Sequence, residues 1–269
     1  MNRPNATLYL LLAALVVSGC GRAEGRTGRR ADAATRTITR SWPAAEIRHL
    51  RVFEVDGSIS VEASQTSEVA LVATAEGDLD LQPGKENDGL FESTLEGDTL
   101  RIGRKEHGRT KFRIPILFGR NDMRISYVLR VPATVSLSVT TVNGRIATRG
   151  ANGETEAATV NGTIDVETSG REELQATTVN GRVRAKFLES FQGARFKTVN
   201  GGVEAILPKD ASFNVNLSQV NGDFEASFPL SIHSNPGSRR VSGEVNGGQY
   251  ELKIVTVNGD VELTRLNGL

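Results

Sequence analysis

From residue 136 onward, apolar and polar residues alternate in short runs, and each pair of runs is separated by Asn-Gly. Val-Asn-Gly begins at Val142, Val160, Val179, Val199, Val220, Val245 and Val257, with spacings of 18, 19, 20, 21, 25 and 12 residues. The second residue after Asn-Gly is apolar in six copies: Ile146, Ile164, Val183, Val203, Phe224 and Val261. Tyr250 takes that place in the remaining copy if one extra residue after Gly247 is a bulge. Three residues before the motif Val stand Val139, Ala157, Ala176, Phe196, Leu217 and Ile254. An apolar period of two on each side of a turn predicts two half-buried strands per repeat. No 3.6-residue period runs through the region, and Asn-Gly would interrupt any helix.

Gly tolerates positive φ and Asn tolerates the left-handed region, so the dipeptide turns the chain sharply. The same dipeptide favours hairpins, which makes a meander the rival architecture. The motif recurs once per two strands rather than once per strand, and this favours a solenoid of coils about 19 residues long. The fold class expected is all-β, a single-stranded β-solenoid (β-helix) wound right-handed. Each Asn would then lie about 4.8 Å above the last, and stacked amides can bond along the axis. The ladder would comprise Asn143, Asn161, Asn180, Asn200, Asn221, Asn246 and Asn258, with Gly144, Gly162, Gly181, Gly201, Gly222, Gly247 and Gly259 beside them. Thr141, Thr159, Thr178, Thr198 and Thr256 would form a parallel column, with Gln219 and Glu244 as exceptions. Seven coils would make a rod roughly 30 Å long.

The seven motifs, the lead-in YVLRVPATVSLSVTTVNG at 127–144 and the earlier VDGSISVEA at 55–63 resemble the bacterial putative-adhesin family, a domain of unknown function. The resemblance covers about residues 44–265 and implies a β-solenoid with Asn-Gly turns. Residues 47–53, 58–61, 69–73, 99–102 and 123–129 read as strands, and Val55-Asp56-Gly57 mimics the motif, so the early strands are expected to stack as coils. Segment 78–98 is polar and acidic and reads as a loop with a weak strand. Segment 101–124 mixes eight basic residues with Phe112 and Phe118. Its strand or hairpin at 111–118 is expected to cap the solenoid, since terminal coils expose edges and core. Binding of an anionic partner there is the alternative.

The amino terminus carries an address. One basic residue, Arg3, precedes an apolar run at 8–17 that ends in Val17-Ser18-Gly19-Cys20. This has the layout of an export signal, and the run is too short to span a bilayer, which takes about 20 residues. Cys20, the chain's one Cys, completes a match to the lipobox of bacterial lipoproteins. The resemblance implies cleavage before Cys20 and lipidation there, with more than one acyl chain for stable anchoring. Gly21 in place of Asp points to the outer membrane if the envelope has two. Residues 21–40 hold six Arg against Glu24 and Asp32, with no apolar period, and read as a flexible tether. The domain organisation expected is a signal peptide at 1–19, a tether at 20–43 bearing Cys20, an N-terminal β part at 44–135 and the Val-Asn-Gly solenoid at 136–269. The two β parts are expected to form one continuous domain.

Composition narrows the function. The 32 basic residues equal the 32 acidic ones in number, which argues against a nucleic-acid binder. One Cys excludes an intramolecular disulfide framework and a Cys-rich zinc module. His49, His107 and His233 show no metal-ligand spacing, and no nucleophile elbow or phosphate loop is present. The third position after Asn-Gly offers one constellation. Asp165, Glu204, Glu225, Glu251 and Glu262 would point outward as an acidic stripe, with Arg184 relieving one end. Such a stripe is a candidate Ca²⁺ site or a candidate pair of glycosidase carboxylates; solvated charges that keep strand edges soluble are the plainer reading. The expected function is a non-enzymatic, lipid-anchored envelope module that presents a rigid face to an envelope protein or polysaccharide, with no cofactor. A polysaccharide-active β-helix enzyme and an envelope-stress sensor are the alternatives.

Overall fold

The computed structural model describes residues 34–77, 90–104, 123–230, 233–234 and 240–266. The first half contains β1 (Ala34–Pro43), β2 (His49–Asp56), β3 (Ile59–Ser64), β4 (Glu68–Gly77), β5 (Glu92–Glu96), β6 (Thr99–Gly103) and β7 (Arg124–Pro132). The repeats supply strand pairs: β8 (Ser136–Asn143) with β9 (Ile146–Ala151), β10 (Thr155–Asn161) with β11 (Ile164–Thr168), β12 (Leu174–Asn180) with β13 (Val183–Phe187), and β14 (Ala194–Lys197) with β15 (Val203–Leu207). The C-terminal part adds β16 (Phe213–Asn221), β17 (Phe224–Ala226), β18 (His233–Ser234), β19 (Arg240–Val245), β20 (Tyr250–Asn258) and β21 (Val261–Arg265). The protein is all-β. No helix among the described residues is long and apolar enough to cross a membrane.

Two sheets enclose one core. Sheet A runs β1-β4-β7-β3-β9-β11-β13-β15-β21-β17, and sheet B runs β18-β19-β16-β20-β14-β12-β10-β8-β2-β6-β5. Each ladder turn carries the chain from sheet B to sheet A. Equivalent residues of successive coils pair in parallel register. Ile59, Ile146, Ile164, Val183, Val203, Val261 and Phe224 form one inward column of sheet A. Val52, Val139, Ala157, Ala176, Phe196, Ile254 and Leu217 form its counterpart in sheet B. Both follow from the period of two, which sends alternate side chains to one face. A run of edge-to-face rings, Phe187–Phe191–Phe213–Phe228, with centroids 5.0, 5.6 and 5.3 Å apart, fills the C-terminal end of the core.

The coils do not stack in sequence order. β20 lies between β14 and β16, and β21 lies between β15 and β17. The chain leaves β15, builds the outer coil β16–β17, makes the β18–β19 hairpin, and returns to fill the gap it left. The 37 positions from Asn221 to Asn258 span this detour.

The sixth motif, at Val245, is not a rung. Val245 ends β19, which runs antiparallel to β16. Val245 is 1% exposed, whereas Val160, Val179, Val199, Val220 and Val257 are 37–51% exposed. Asn246 has φ 50°, and its Nδ2 donates to the Ala211 carbonyl at 2.9 Å. Asn246-Gly247 is therefore a local turn between β19 and β20. Tyr250 belongs to a lead-in strand rather than to a strand that follows a ladder turn, so no bulge aligns it with Ile146.

The expected tether also needs correction over its last ten residues. Residues 34–43 form β1, which pairs antiparallel with β4 along its whole length. Its one inward apolar side chain in the alternating Thr/Arg run is Ile38, which is buried. The Arg40 guanidinium stacks 4.9 Å from the Phe91 ring and donates to Ser93 Oγ. An edge strand needs only one buried face, so its sequence reads as polar. Residues 1–33, with the expected signal peptide and Cys20, lie outside the described residues, as do residues 105–122 with the expected 111–118 hairpin. Three of the four sheet ends carry antiparallel strands: β1 and β4 in sheet A, β5 in sheet B, and the β18–β19 pair beyond β16; the fourth is the parallel strand β17. Such strands end the run of parallel coils.

Candidate functional site

The turn ladder is continuous and has a direction. Asn143 donates through Nδ2 to Asp56 Oδ1 at 2.8 Å. Asn161 donates to Asn143, Asn180 to Asn161, Asn200 to Asn180, Asn258 to Asn200, and Asn221 to Asn258, all at 2.8–2.9 Å. Every Nδ2 points toward Asp56, which can only accept when ionised. Inside this ladder the Thr hydroxyls donate to carbonyls of the coil before. Thr141 reaches the Gly57 oxygen at 3.1 Å, and Thr178 reaches the Gly162 oxygen at 3.1 Å. Gln219 takes the Thr place in the outermost coil and reaches the Gly259 oxygen at 2.9 Å. The ladder glycines stack so closely that a Cβ on Gly144, Gly162 or Gly201 would overlap the carbonyl of the glycine before it. Asn-Gly is thus required twice, for the side-chain ladder and for the backbone approach.

Glu54 heads the Thr column, in register with Thr141. It is fully buried. Its Oε1 accepts from the Val55 N–H at 2.9 Å, the Asp56 N–H at 3.3 Å and the Arg104 guanidinium. Its Oε2 accepts from the Tyr127 hydroxyl at 2.9 Å. Burial pushes the Glu54 carboxyl above the usual carboxylate range, against the pull of Arg104, the Val55 N–H and Tyr127. Burial and the neighbouring Glu54 charge also push the Tyr127 phenol up. Sequence reading missed this cluster. Glu54 precedes Asp56 as Thr precedes Asn in later motifs, and extending that alignment one column inward would have placed it.

The outward positions of sheet A form two registered columns. The first reads Ser60, Ala147, Asp165, Arg184, Glu204, Glu262, Glu225. The second reads Arg130, Glu62, Arg149, Glu167, Lys186, Ile206, Thr264. The expected acidic stripe is therefore rearranged. Glu262 precedes Glu225, because the last coil is inserted. Glu251 lies in β20 on sheet B, where its Oε2 is 3.8 Å from Arg195 and its Oε1 accepts from Asn216. Asp165 is paired with Arg145 at 2.7 Å, and Glu204 with Arg184 at 3.3 Å. Glu262 and Glu225 stand beside Glu204 with Asp260 and Asp223 at the neighbouring turn, where the Asp223 N–H donates to Asp260 Oδ1. Among the described residues, no group of three or more His, Cys, Asp or Glu is placed to hold a metal ion. The acidic residues thus collect at one end of the face, and basic residues dominate its middle.

That middle is a groove of about 260 Å³ over β9, β11 and β13. Ala147 is small and makes its floor. Arg145, Arg149, Arg184 and Lys186 line it, with Asp165 and Glu167 between them. Lys186 pairs with Glu167 at 3.2 Å.

Stacked two-strand coils, a one-directional Asn ladder and a polar outer face define an all-β repeat protein whose surface is a registered array. The Toastrack DUF4097 family model matches residues 34–264, and the chain belongs to that family. Its solved likenesses are distant. A putative cell adhesion protein from Clostridium sporogenes is 8% identical, with a TM-score of 0.48, over 86% of this chain and 100% of that one. A putative adhesin from Parabacteroides merdae is 10% identical, with a TM-score of 0.33, over 87% and 97%. One from Bacteroides fragilis is 11% identical, with a TM-score of 0.30, over 86% and 97%. No curated protein matches the chain.

Proposed function

We propose that this chain is a non-enzymatic binding module of the bacterial cell envelope, anchored by lipid at Cys20 and holding its solenoid outside the membrane. The carrying observation is the unbroken ladder from Asp56 to Asn221. It locks the outward columns in register, and a preordered surface loses little entropy when an extended ligand lies along it. The coil is read as right-handed, the sense that parallel crossover connections favour. The groove carboxylates support a non-enzymatic role. Asp165 and Glu167 are each taken up by an ion pair within the groove, with Arg145 and Lys186, rather than held as a facing pair of carboxylates. The partner in this reading is an envelope protein or polysaccharide, and the equal number of acidic and basic residues disfavours nucleic acid.

Two measurements test it. Cells fed radiolabelled palmitate should label the wild-type protein and not Cys20→Ser, and the variant should leave the membrane fraction. The detergent-solubilised full-length protein, immobilised, should retain envelope material that a heat-unfolded sample does not. Absence of label would overturn the anchor. Equal retention by the unfolded sample would overturn the binding role.

A further inference from the structure

The geometry points to the groove above Ala147 as a binding site for a uronate polysaccharide. This inference rests on the reading of the chain as a binding module and names the ligand class of one site.

Charge balance carries the argument. Each carboxylate of the groove already has a cation: Arg145 holds Asp165, and Lys186 holds Glu167. Arg184 is engaged by Glu204, which lies outside the groove. Arg149 remains. It is exposed, stands in register between Glu62 and Glu167, and makes no ion pair among the described residues. Glu62 itself is 3.6 Å from Arg130. The groove thus offers one uncommitted guanidinium, whose fork geometry suits a carboxylate.

The two groove carboxylates determine what else the ligand must carry. They keep acceptor capacity beyond their ion pairs, and the guanidinia keep spare N–H donors. A ligand that fills all of these presents one carboxylate together with hydroxyls that both donate and accept. Each ring of a uronate chain has that set. An acidic peptide brings the carboxylates without the ring hydroxyls that would donate to Asp165 and Glu167. The acidic end of the face, at Glu262 and Glu225, repels a polyanion and confines it to the middle of the sheet. A ligand lying across β9, β11 and β13 spans the groove without reaching Glu262 and Glu225, which lie beyond β15.

The test is calorimetric titration of the detergent-solubilised full-length protein with polygalacturonate fragments. The expected result is binding that weakens with salt, a tenfold or greater loss in Arg149→Glu, and an intermediate loss in Arg149→Lys. Lys253→Glu, which makes the same charge change on the outer face of sheet B, should bind as wild type does. Neutral dextran fragments should not bind. The inference is overturned if folded wild type fails to bind polygalacturonate, if Arg149→Glu and Lys253→Glu lose equally, or if poly-glutamate binds as tightly. Retention of envelope material by wild type is read separately. If it persists while the groove test fails, the ligand is wrong and the binding module stands.

Discussion

Asn258 donates to Asn200 at 2.9 Å across 58 positions of sequence, and Asn221 donates to Asn258 at 2.8 Å. The last coil of the chain is therefore an interior layer. β20 and β21 each have a parallel partner on both sides. Removing residues 250–269 should not merely fray an end. It takes away the strands that join β16–β17 to the rest of the stack and uncovers Phe196, Ala205 and Leu217. The truncated protein is expected to bind a hydrophobic dye and to lose a single cooperative unfolding transition, as followed by circular dichroism and calorimetry.

The direction of the ladder decides where an acid is tolerated. Asp56 sits at the accepting end, so Asp56→Asn keeps an acceptor for Asn143 and should change stability by less than about 1 kcal/mol. Asn258→Asp turns a donor into an acceptor facing the Asn200 oxygen. Its loss should be larger, about 2 kcal/mol or more, since a bond is lost and two oxygens oppose. Guanidinium denaturation of both variants at neutral pH checks the order.

Two glycines of the same motif should respond differently. A Cβ on Gly162 would overlap the Gly144 carbonyl, so Gly162→Ala must push two coils apart, at a cost of about 3 kcal/mol. Gly247 has open space around it and a φ of +86°. Gly247→Ala meets only backbone strain, about 1 kcal/mol. Thermal unfolding of the two variants measures the difference.

Thr148 points into the core in register with Val61 and Val166. It is 1% exposed, and its Oγ1 has no hydrogen-bond partner among the described residues. Thr148→Val is expected to stabilise the protein by about 1 kcal/mol, because an unsatisfied buried hydroxyl is replaced by a methyl. A rise in the denaturation midpoint with an unchanged slope is the readout.

Glu54 predicts a pH dependence. Its folded value lies above the ordinary 4.5, so the folded protein keeps a proton that an unfolded chain would release. That contribution to stability is complete below pH 4.5 and is lost as pH rises through the raised folded value. Glu54→Gln mimics the protonated carboxyl and lacks the titration. Wild type should lose stability relative to Glu54→Gln as pH rises, and denaturation curves from about pH 4 to pH 8 test the trend.

The period of two made the strands legible. Six of the seven motifs became ladder turns because each places an Asn, a close-packed Gly and an inward apolar residue in one order. Val55-Asp56-Gly57 became the first rung for the same reason. Val245-Asn246-Gly247 has the same three letters and a different role, since its Val is buried and its strand is antiparallel to β16. Letters alone do not separate the two uses, because Asn-Gly serves a tight turn as well as a ladder. On the outer face, the identities of the stripe residues were legible and their neighbours were not. Glu251 was read one strand out of place, and Arg149 was not singled out because its value depends on which carboxylates its neighbours have already taken.

The sequence by itself determined the all-β repeat, the two-strand coil and the stacking of Asn on Asn, because these follow from local turn chemistry and side-chain alternation. Only the tertiary structure decided the order of the coils, the place of β1, the buried Glu54–Arg104–Tyr127 cluster and the groove over Ala147. Near-identical coils offer near-identical pairing edges, so local pattern leaves their order open. Inserting the last coil makes two interfaces and replaces the one that β14–β15 and β16–β17 would share, so the number of interfaces does not choose the order either; it goes with contacts between elements far apart in sequence, Asn258 between Asn200 and Asn221 and the antiparallel β19 on the outer edge of β16.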